Sequence, residues 1–198
     1  YGVLMGIKGS AFYKWGSDKL HGKKILVQGA GNVGRNLIKL LINEGAEIWV
    51  NEINPEKLAK VAQDYDVKIL SKNIYSADVD IYAPCALGGT LNDLTIPLLK
   101  CAIVAGGANN QLAKESIHDD LLVKNKILYA PDFLINAGGL INVYSELKGF
   151  SSQQVKDKTE TIFDTTIEIL KKSESENISS QKAALKIAKE KISKTYCS

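Results

Sequence analysis

The sequence predicts an α/β fold: a doubly wound parallel sheet with a helical appendage toward the C-terminus. Three observations predict it. Six short apolar runs alternate with amphipathic helical patterns, and strands that alternate with helices pair in parallel through right-handed crossovers. Most of the runs are continuous in Val, Ile and Leu, as strands covered on both faces require. The first run ends in a glycine turn, Gly29–Gly34, that opens directly into a helical pattern.

Taken in order, the chain begins on "YGVLMGIKGSAFYKW", in which Val3, Ile7 and Ala11, extended by Trp15, share one helical face. A helix at the first residue, without Met, implies either a fragment of a longer protein or a processed or re-cloned terminus. The predicted strands are Ile25–Gln28, Glu47–Asn51, Val67–Leu70, Val79–Ala83, Ala102–Ala105 and Ile127–Ala130. Between the first two, a helix over Asn32–Asn43 places Val33, Leu37, Leu40 and Leu41 on one face and stops at Gly45. Asn54 caps a second helix from Pro55 to Tyr65, with proline at the first helical position.

After Gly149 the strands stop. Ser151–Lys172 reads as a long amphipathic helix carrying Val155, Ile162, Phe163, Ile167 and Leu170, interrupted by "SESENISS". Ser180–Lys194 reads as another, carrying Leu185, Ala188 and Ile192. The expected organisation is therefore a connecting helix over residues 1–22, a sheet domain over 23–149 and packed helices over 150–198.

Composition narrows the class. The 198 residues are 45% hydrophobic and 24% charged, which suits one large domain better than two. The net charge is +3, with Lys and Glu interspersed and no basic block, which points away from nucleic acid and from a membrane surface. No apolar run is long enough to span a bilayer, and no signal peptide is visible. Cys85, Cys101 and Cys197 lie in no metal-ligand spacing, and two sit in apolar surroundings, as reduced thiols would. A soluble cytosolic protein is expected. Only two histidines are present, His21 in a surface loop and His118 in a segment that reads as exposed, so no metal site is expected.

Gly29, Gly31 and Gly34 form G-x-G-x-x-G. Gly29 permits the tight turn out of the strand, Gly31 lets backbone approach a pyrophosphate, and Gly34 lets the helix lie close to the strand. The free N–H groups and positive dipole end of the helix then hold the phosphates. Glu52 ends the second strand, where a carboxylate can accept hydrogen bonds from adenosine ribose hydroxyls and would repel a 2′-phosphate; no arginine stands beside it. The alternative is an exposed strand-end residue. The turn in this context predicts a Rossmann-type, NAD-binding domain. Its expected cofactor set is Gly29, Ala30, Gly31, Asn32, Val33, Gly34, Glu52 and Ile53.

Three further motifs follow: "DIYAPCALGG" (Asp80–Gly89), "VAGGANNQL" (Val104–Leu112) and "YAPDFLINAGGLINV" (Tyr129–Val143). With "VQGAGNVG" they resemble the cofactor domain of the amino-acid dehydrogenases acting on glutamate, leucine, phenylalanine and valine, most closely those acting on leucine. The resemblance runs from "YGV" into the C-terminal helices. It implies NAD-dependent oxidative deamination of an L-amino acid to a 2-oxo acid and ammonia. It also implies that the acid–base groups stand on a separate N-terminal domain, so no catalytic residue is assigned in this chain. The first helix would then cross from that domain, and the full-length protein would be a homo-oligomer.

Ligands of open parallel sheets bind beyond the carboxyl ends of the strands, and Pro84–Leu87, Gly106–Asn110 and Pro131–Gly139 all follow predicted strands. Ala83, Cys85 and Ala86 are small enough for backbone to pass close to the nicotinamide ribose and ring, as the resemblance implies. No histidine neighbours Cys85 in sequence, so it reads as an apolar filler rather than a nucleophile. Asn110 and Asn136 carry amides able to donate and accept without changing charge. By resemblance Asn110 contacts cofactor and Asn136 lies near nicotinamide and substrate, while a local cap or turn is the rival role for either. Gly138 and Gly139 suggest a close approach. Leu140 and Val143 share a helical face and, with Asn136, line the substrate pocket by resemblance; core contacts under the sheet are the alternative. A pocket of that size favours Leu, Ile or Val. Asp132 reads as orienting a turn or adding charge to the cleft.

The function expected is therefore the NAD-binding part of a dehydrogenase for L-leucine and other branched-chain amino acids. A phenylalanine- or valine-preferring relative, or a non-catalytic dinucleotide-binding regulatory module, is the alternative.

Overall fold

A computed structural model describes residues 1–196; Cys197, named above, lies outside the described residues. Six strands form one all-parallel sheet: β1 (Lys24–Gln28), β2 (Glu47–Asn51), β3 (Lys68–Ile69), β4 (Ile81–Pro84), β5 (Ile103–Val104) and β6 (Leu128–Tyr129). Their spatial order is β3-β2-β1-β4-β5-β6. The order reverses between β1 and β4, the switch point at which such sheets open a crevice. Eight helices surround it: α1 (Gly2–Trp15), α2 (Asn32–Asn43), α3 (Pro55–Asp64), α4 (Glu115–Lys124), α5 (Asp132–Ile135), α6 (Ala137–Leu147), α7 (Ser152–Glu176) and α8 (Ser180–Tyr196). No helix among the described residues is long and apolar enough to cross a membrane.

The strand period divides the core in two. Ile25 pairs with Ile48 and Ile81, and Val27 with Val50 and Ala83. These residues face one side, where they pack with Leu37, Ile38 and Leu41 of α2 and with α1. Leu26, Tyr82 and Val104 face the other, against Leu91, Ile96, Leu122 and Tyr129. Tyr82 is fully buried, and its hydroxyl donates to the Gln28 side-chain oxygen, which satisfies both polar groups at the strand ends.

Several side-chain placements depart from the helical patterns. In α1, Val3, Ile7 and Ala11 are buried as expected, but so are Leu4 and Met5. The helix is apolar all round because it is enclosed by α2, α5, α6 and α7. An added Cβ at Gly6 would collide with the Ile135 side chain, so glycine sets how near α1 lies to α5. In α2, Ile38 rather than Val33 is buried, and Val33 is half exposed at the mouth of the turn. His118 is buried, not exposed: its Nδ1 accepts the Lys114 N–H at 2.8 Å, so the imidazole closes the first turn of α4.

The C-terminal helices differ most. Ser151 and Gln154 form a capping box at the start of α7. "SESENISS" does not interrupt the helix at its first residues; α7 runs to Glu176 and ends where Asn177 turns left-handed, at φ 51°. The polar segment stays helical because its side chains find partners: Glu174 accepts the Tyr13 hydroxyl at 2.6 Å, and Lys172 pairs with Glu176. Thr159 and Thr166 join Ile162, Ile169 and Leu170 on the buried face of α7, each hydroxyl bonded to the carbonyl four residues back. In α8 the buried apolar residues are Ala183, Ala184 and Ile187, whereas Leu185, Ala188 and Ile192 are exposed. The small alanines let α8 approach Ile169 of α7, which outweighs the larger apolar content of the opposite face.

Candidate functional site

The crevice is built at the carboxyl ends of β1, β2 and β4. β1 stops at Gln28, and Gly29 adopts φ 98°, a left-handed conformation in which its missing side chain also makes room for Ala86. An added Cβ at Gly34 would collide with the Gly29 carbonyl oxygen, so the helix can return this closely to the strand only with glycine there. Gly31 differs: its φ is −70°, and an added Cβ would meet no protein atom within 4 Å. The space it faces is open, and it lies at the N-cap of α2, where no side chain caps the helix. The first intrahelical bond there is from the Arg35 N–H to the Gly31 carbonyl. The preceding amides and the positive helix end are thus free to receive an anion.

Glu52 stands across the turn. Its Oε2 accepts the Ala30 N–H at 2.7 Å and its Oε1 accepts the Asn54 N–H at 2.9 Å. Partial burial works to raise its pKa, but the Asn54 and Ala30 amides, with Lys57 nearby, hold it below the ordinary carboxylate value. The carboxylate therefore stays ionised and fixes the turn, and each oxygen keeps a second lone pair for a ligand hydroxyl. A cleft of about 270 Å³ opens here, lined among others by Gly29, Glu52, Ile53, Ala86 and Leu87. Ile53 and Leu87 are strongly exposed apolar side chains beside it, a surface suited to the flat face of a base.

These residues fit a dinucleotide: uncapped amides and an open glycine for the diphosphate, an ionised carboxylate for a ribose, and apolar walls for a ring. Of the expected set, Gly29, Glu52, Ile53 and Ala86 line the cleft, and Gly31, Asn32, Val33 and Gly34 form the turn and helix start beside it; the Ala30 side chain is buried in the core and only its N–H reaches Glu52. Ala83 does not share the cleft. That residue has 0% of its surface accessible, because it pairs in β4 with its side chain in the core beneath the crevice.

Cys85 links this half of the site to the next. Its Sγ accepts the Gly107 N–H at 3.3 Å. An added Cβ on Gly107 would press on Val33 and also meet Cys85 and Val3, so the helix after the turn, the β5 loop and α1 converge there. Burial pushes the Cys85 thiol up to about 11. It is a neutral packing group, not a nucleophile.

Asn110 and Asn136 belong to the loops after β5 and β6. Asn110 sits at φ 51°, exposed, and its carbonyl accepts the Gly89 N–H at 2.8 Å, joining the β5 loop to the β4 loop. Asn136 does not cap the following helix with its side chain. Its Nδ2 instead reaches the Ala108 carbonyl and Asn109 Oδ1, both at 3.1 Å. Asp132 orients turns: Oδ2 accepts the Gln111 N–H at 2.9 Å and Oδ1 the Phe133 N–H at 2.7 Å. Leu140 and Val143 are exposed on α6, Leu140 at 73%, together with Tyr144 and Leu147. They form an open apolar face, which excludes the core-contact alternative. Gly138 lies against Gly2 of α1, whereas Gly139 faces open space.

Sequence reasoning missed Leu87 and Gln111. Leu87 carried a signal, a large apolar residue in a loop of small ones. Gln111 carried none, since its link to Asp132 forms only on folding.

A family model for the Glutamate/Leucine/Phenylalanine/Valine dehydrogenases matches residues 48–197. The chain is 42% identical over 192 residues to an L-tryptophan dehydrogenase of Nostoc punctiforme, covering 96% of this chain and 54% of that protein. It is 45% identical over 193 residues to a leucine dehydrogenase of Bacillus cereus, covering 97% of this chain and 52% of that one. The crystal structure of L-tryptophan dehydrogenase from Nostoc punctiforme superposes with a TM-score of 0.94 at 42% identity, over 98% of this chain and 59% of that chain. The chain thus spans about half the length of the curated relatives it matches.

Proposed function

The chain belongs to the glutamate/leucine/phenylalanine/valine dehydrogenase family, and on that premise we propose that it is the NAD-binding part of an enzyme that oxidatively deaminates branched-chain L-amino acids, leucine foremost. The observation that carries the cofactor reading is the open space at Gly31, at an uncapped helix start facing an ionised Glu52. The α2 amides and the turn from Gly29 to Gly34 would hold the diphosphate. Glu52 would hold the adenosine ribose and repel a 2′-phosphate, which favours NAD over NADP. The nicotinamide end would lie toward Cys85, Ala86, Asn110 and Asn136. Bound there, NAD supplies a hydride acceptor for the substrate Cα.

The chain's own residues then bind, orient and exclude water. Cys85 and Gly107 pack under the nicotinamide side, and Asn136 offers an amide whose charge is constant through the reaction. Leu140 and Val143 contact the substrate side chain. No residue of this chain is assigned proton transfer; those groups belong to another part of the enzyme. The full-length protein is proposed to act as a homo-oligomer in a reducing cytoplasm, where Cys85 and Cys101 remain thiols.

Similarity to an L-tryptophan dehydrogenase, at an identity close to that with leucine dehydrogenase, makes an aromatic amino acid the second reading. The full-length enzyme assayed with NAD and a panel of leucine, valine, phenylalanine and tryptophan separates the two. Highest kcat/KM on leucine supports the first reading; highest on an aromatic amino acid replaces it with the second.

A further inference from the structure

Gln111 is wholly buried, with 0% of its surface accessible. Its Nε2 donates to the Gly106 carbonyl at 2.7 Å and to the Ala108 carbonyl at 3.0 Å, and its backbone N–H donates to Asp132 Oδ2 at 2.9 Å. Its Oε1 is buried without a hydrogen-bond partner. An unpaired buried acceptor is costly, and an apolar side chain of similar size would fill the space without that cost. What glutamine adds is the pair of donors.

Those donors act on the loop that holds Asn136. The Ala108 carbonyl is shared: Gln111 Nε2 donates to it from one side and Asn136 Nδ2 from the other. The second partner of Asn136 Nδ2, Asn109 Oδ1, is also an acceptor. The Asn136 amide is therefore held with Nδ2 toward this loop, because on turning over its oxygen would face the fixed Ala108 carbonyl oxygen. Asp132 completes the clamp by gripping the Gln111 backbone from the start of α5, the short helix that ends at Asn136.

We propose that Gln111 is a positioning residue: by fixing the Ala108 carbonyl it holds Asn136 with Nδ2 turned inward and Oδ1 offered to an N–H donor in the cleft. This rests on the dehydrogenase reading above, in which Asn136 touches substrate or nicotinamide.

The test is a double-mutant cycle in the full-length enzyme, with kcat for amino-acid oxidation and the melting temperature measured for each variant. Gln111→Met keeps the volume and removes both donors; Gln111→Glu keeps the shape and replaces the donors with acceptors. Each should lower kcat about tenfold alone, and less than twofold when Asn136 is already alanine. The dissociation constant of ADP-ribose, which lacks the nicotinamide, should change less than twofold, since the glycine turn and Glu52 lie elsewhere. Equal losses of kcat in both backgrounds would make Gln111 merely structural and overturn the proposal. So would failure of both Gln111 variants to fold while Asn136→Ala folds. If Asn136→Ala alone leaves kcat unchanged, the placement of Asn136 at the reacting atoms fails first, and the proposal with it.

Discussion

The Glu52 carboxylate accepts the Ala30 N–H at 2.7 Å, so the residue just after β2 also clamps the turn just after β1. One side chain thereby fixes the turn before α2 and, on the reading proposed above, would also hold the neighbouring sugar. With its second oxygen on the Asn54 N–H, it also sets the entry to α3.

Replacing Glu52 by Gln leaves only one acceptor oxygen for two backbone donors. A hydrogen bond to a charged group contributes about 1.5–3 kcal/mol, and this one is partly solvated, so NAD affinity should fall about tenfold. The gap between NAD and NADP should narrow, because the repelling charge is gone. Titration of both cofactors against wild type and variant checks this.

The same carboxylate fixes a pH dependence. Its folded pKa lies below the ordinary 4.5, so its contribution is fully present above about 4.5 and is lost as pH falls through the lowered folded value. The turn should loosen on acidification below about 4.5 in wild type. The Glu52→Gln variant should lack that component of the acid transition, as read by thermal melts across pH.

Asp119 of α4 has the opposite sign. It is buried beside the start of α8, and its oxygens make no well-formed hydrogen bond. Desolvation pushes it up to about 6, while Ser179, Lys182 and the Gln181 amide pull weakly the other way and Asp120 adds to the rise. A raised folded pKa means stability is full below the unfolded value near 3.8 and is lost as pH rises through about 6. Asp119→Asn should therefore stabilise the fold at pH 7, by at most about 3 kcal/mol, and make little difference below about pH 4. A higher melting temperature at neutral pH, vanishing in acid, is the expected outcome.

Leu140 is mostly exposed, so shortening it should leave the fold intact while changing the proposed substrate pocket. In the full-length enzyme, Leu140→Ala should raise kcat/KM for phenylalanine relative to leucine by roughly an order of magnitude, on the usual 1–3 kcal/mol per pocket methylene group. An unchanged ratio would remove Leu140 from the pocket.

Much of this was legible in the sequence, for definite reasons. Most strands were readable as short apolar runs bounded by turn residues, and β2 and α2 fall on their predicted bounds, whereas β3, β5 and β6 keep only the middle two of four predicted residues, β4 starts at Ile81, and β3 is exposed at the sheet edge. The glycine turn was readable because three glycines stand at fixed spacing: Gly29 and Gly34 answer two separate steric demands of the fold, and Gly31 leaves the space before the helix start open. The buried face of α8 was not readable: Leu185, Ala188 and Ile192 make the larger apolar stripe, but the helix packs through Ala183, Ala184 and Ile187, and fit against Ile169 decides between them. His118 misled because its neighbours Glu115, Asp119 and Asp120 are charged, whereas its burial comes from closing its own helix start. Gln111 was invisible because its partner Asp132 lies 21 residues away.

A dinucleotide lying against the turn at Gly31 would be displaced by a side chain there, which calorimetric titration of NAD into the wild-type chain and into Gly31→Ala would detect. An added methyl there meets no protein atom at φ −70°, so the variant should fold with an unchanged melting temperature. Wild type should bind NAD, and the variant should bind at least about tenfold more weakly, a difference of about 1.4 kcal/mol. Equal binding by the two proteins, or no binding by folded wild type, would contradict the placement of a dinucleotide at this turn.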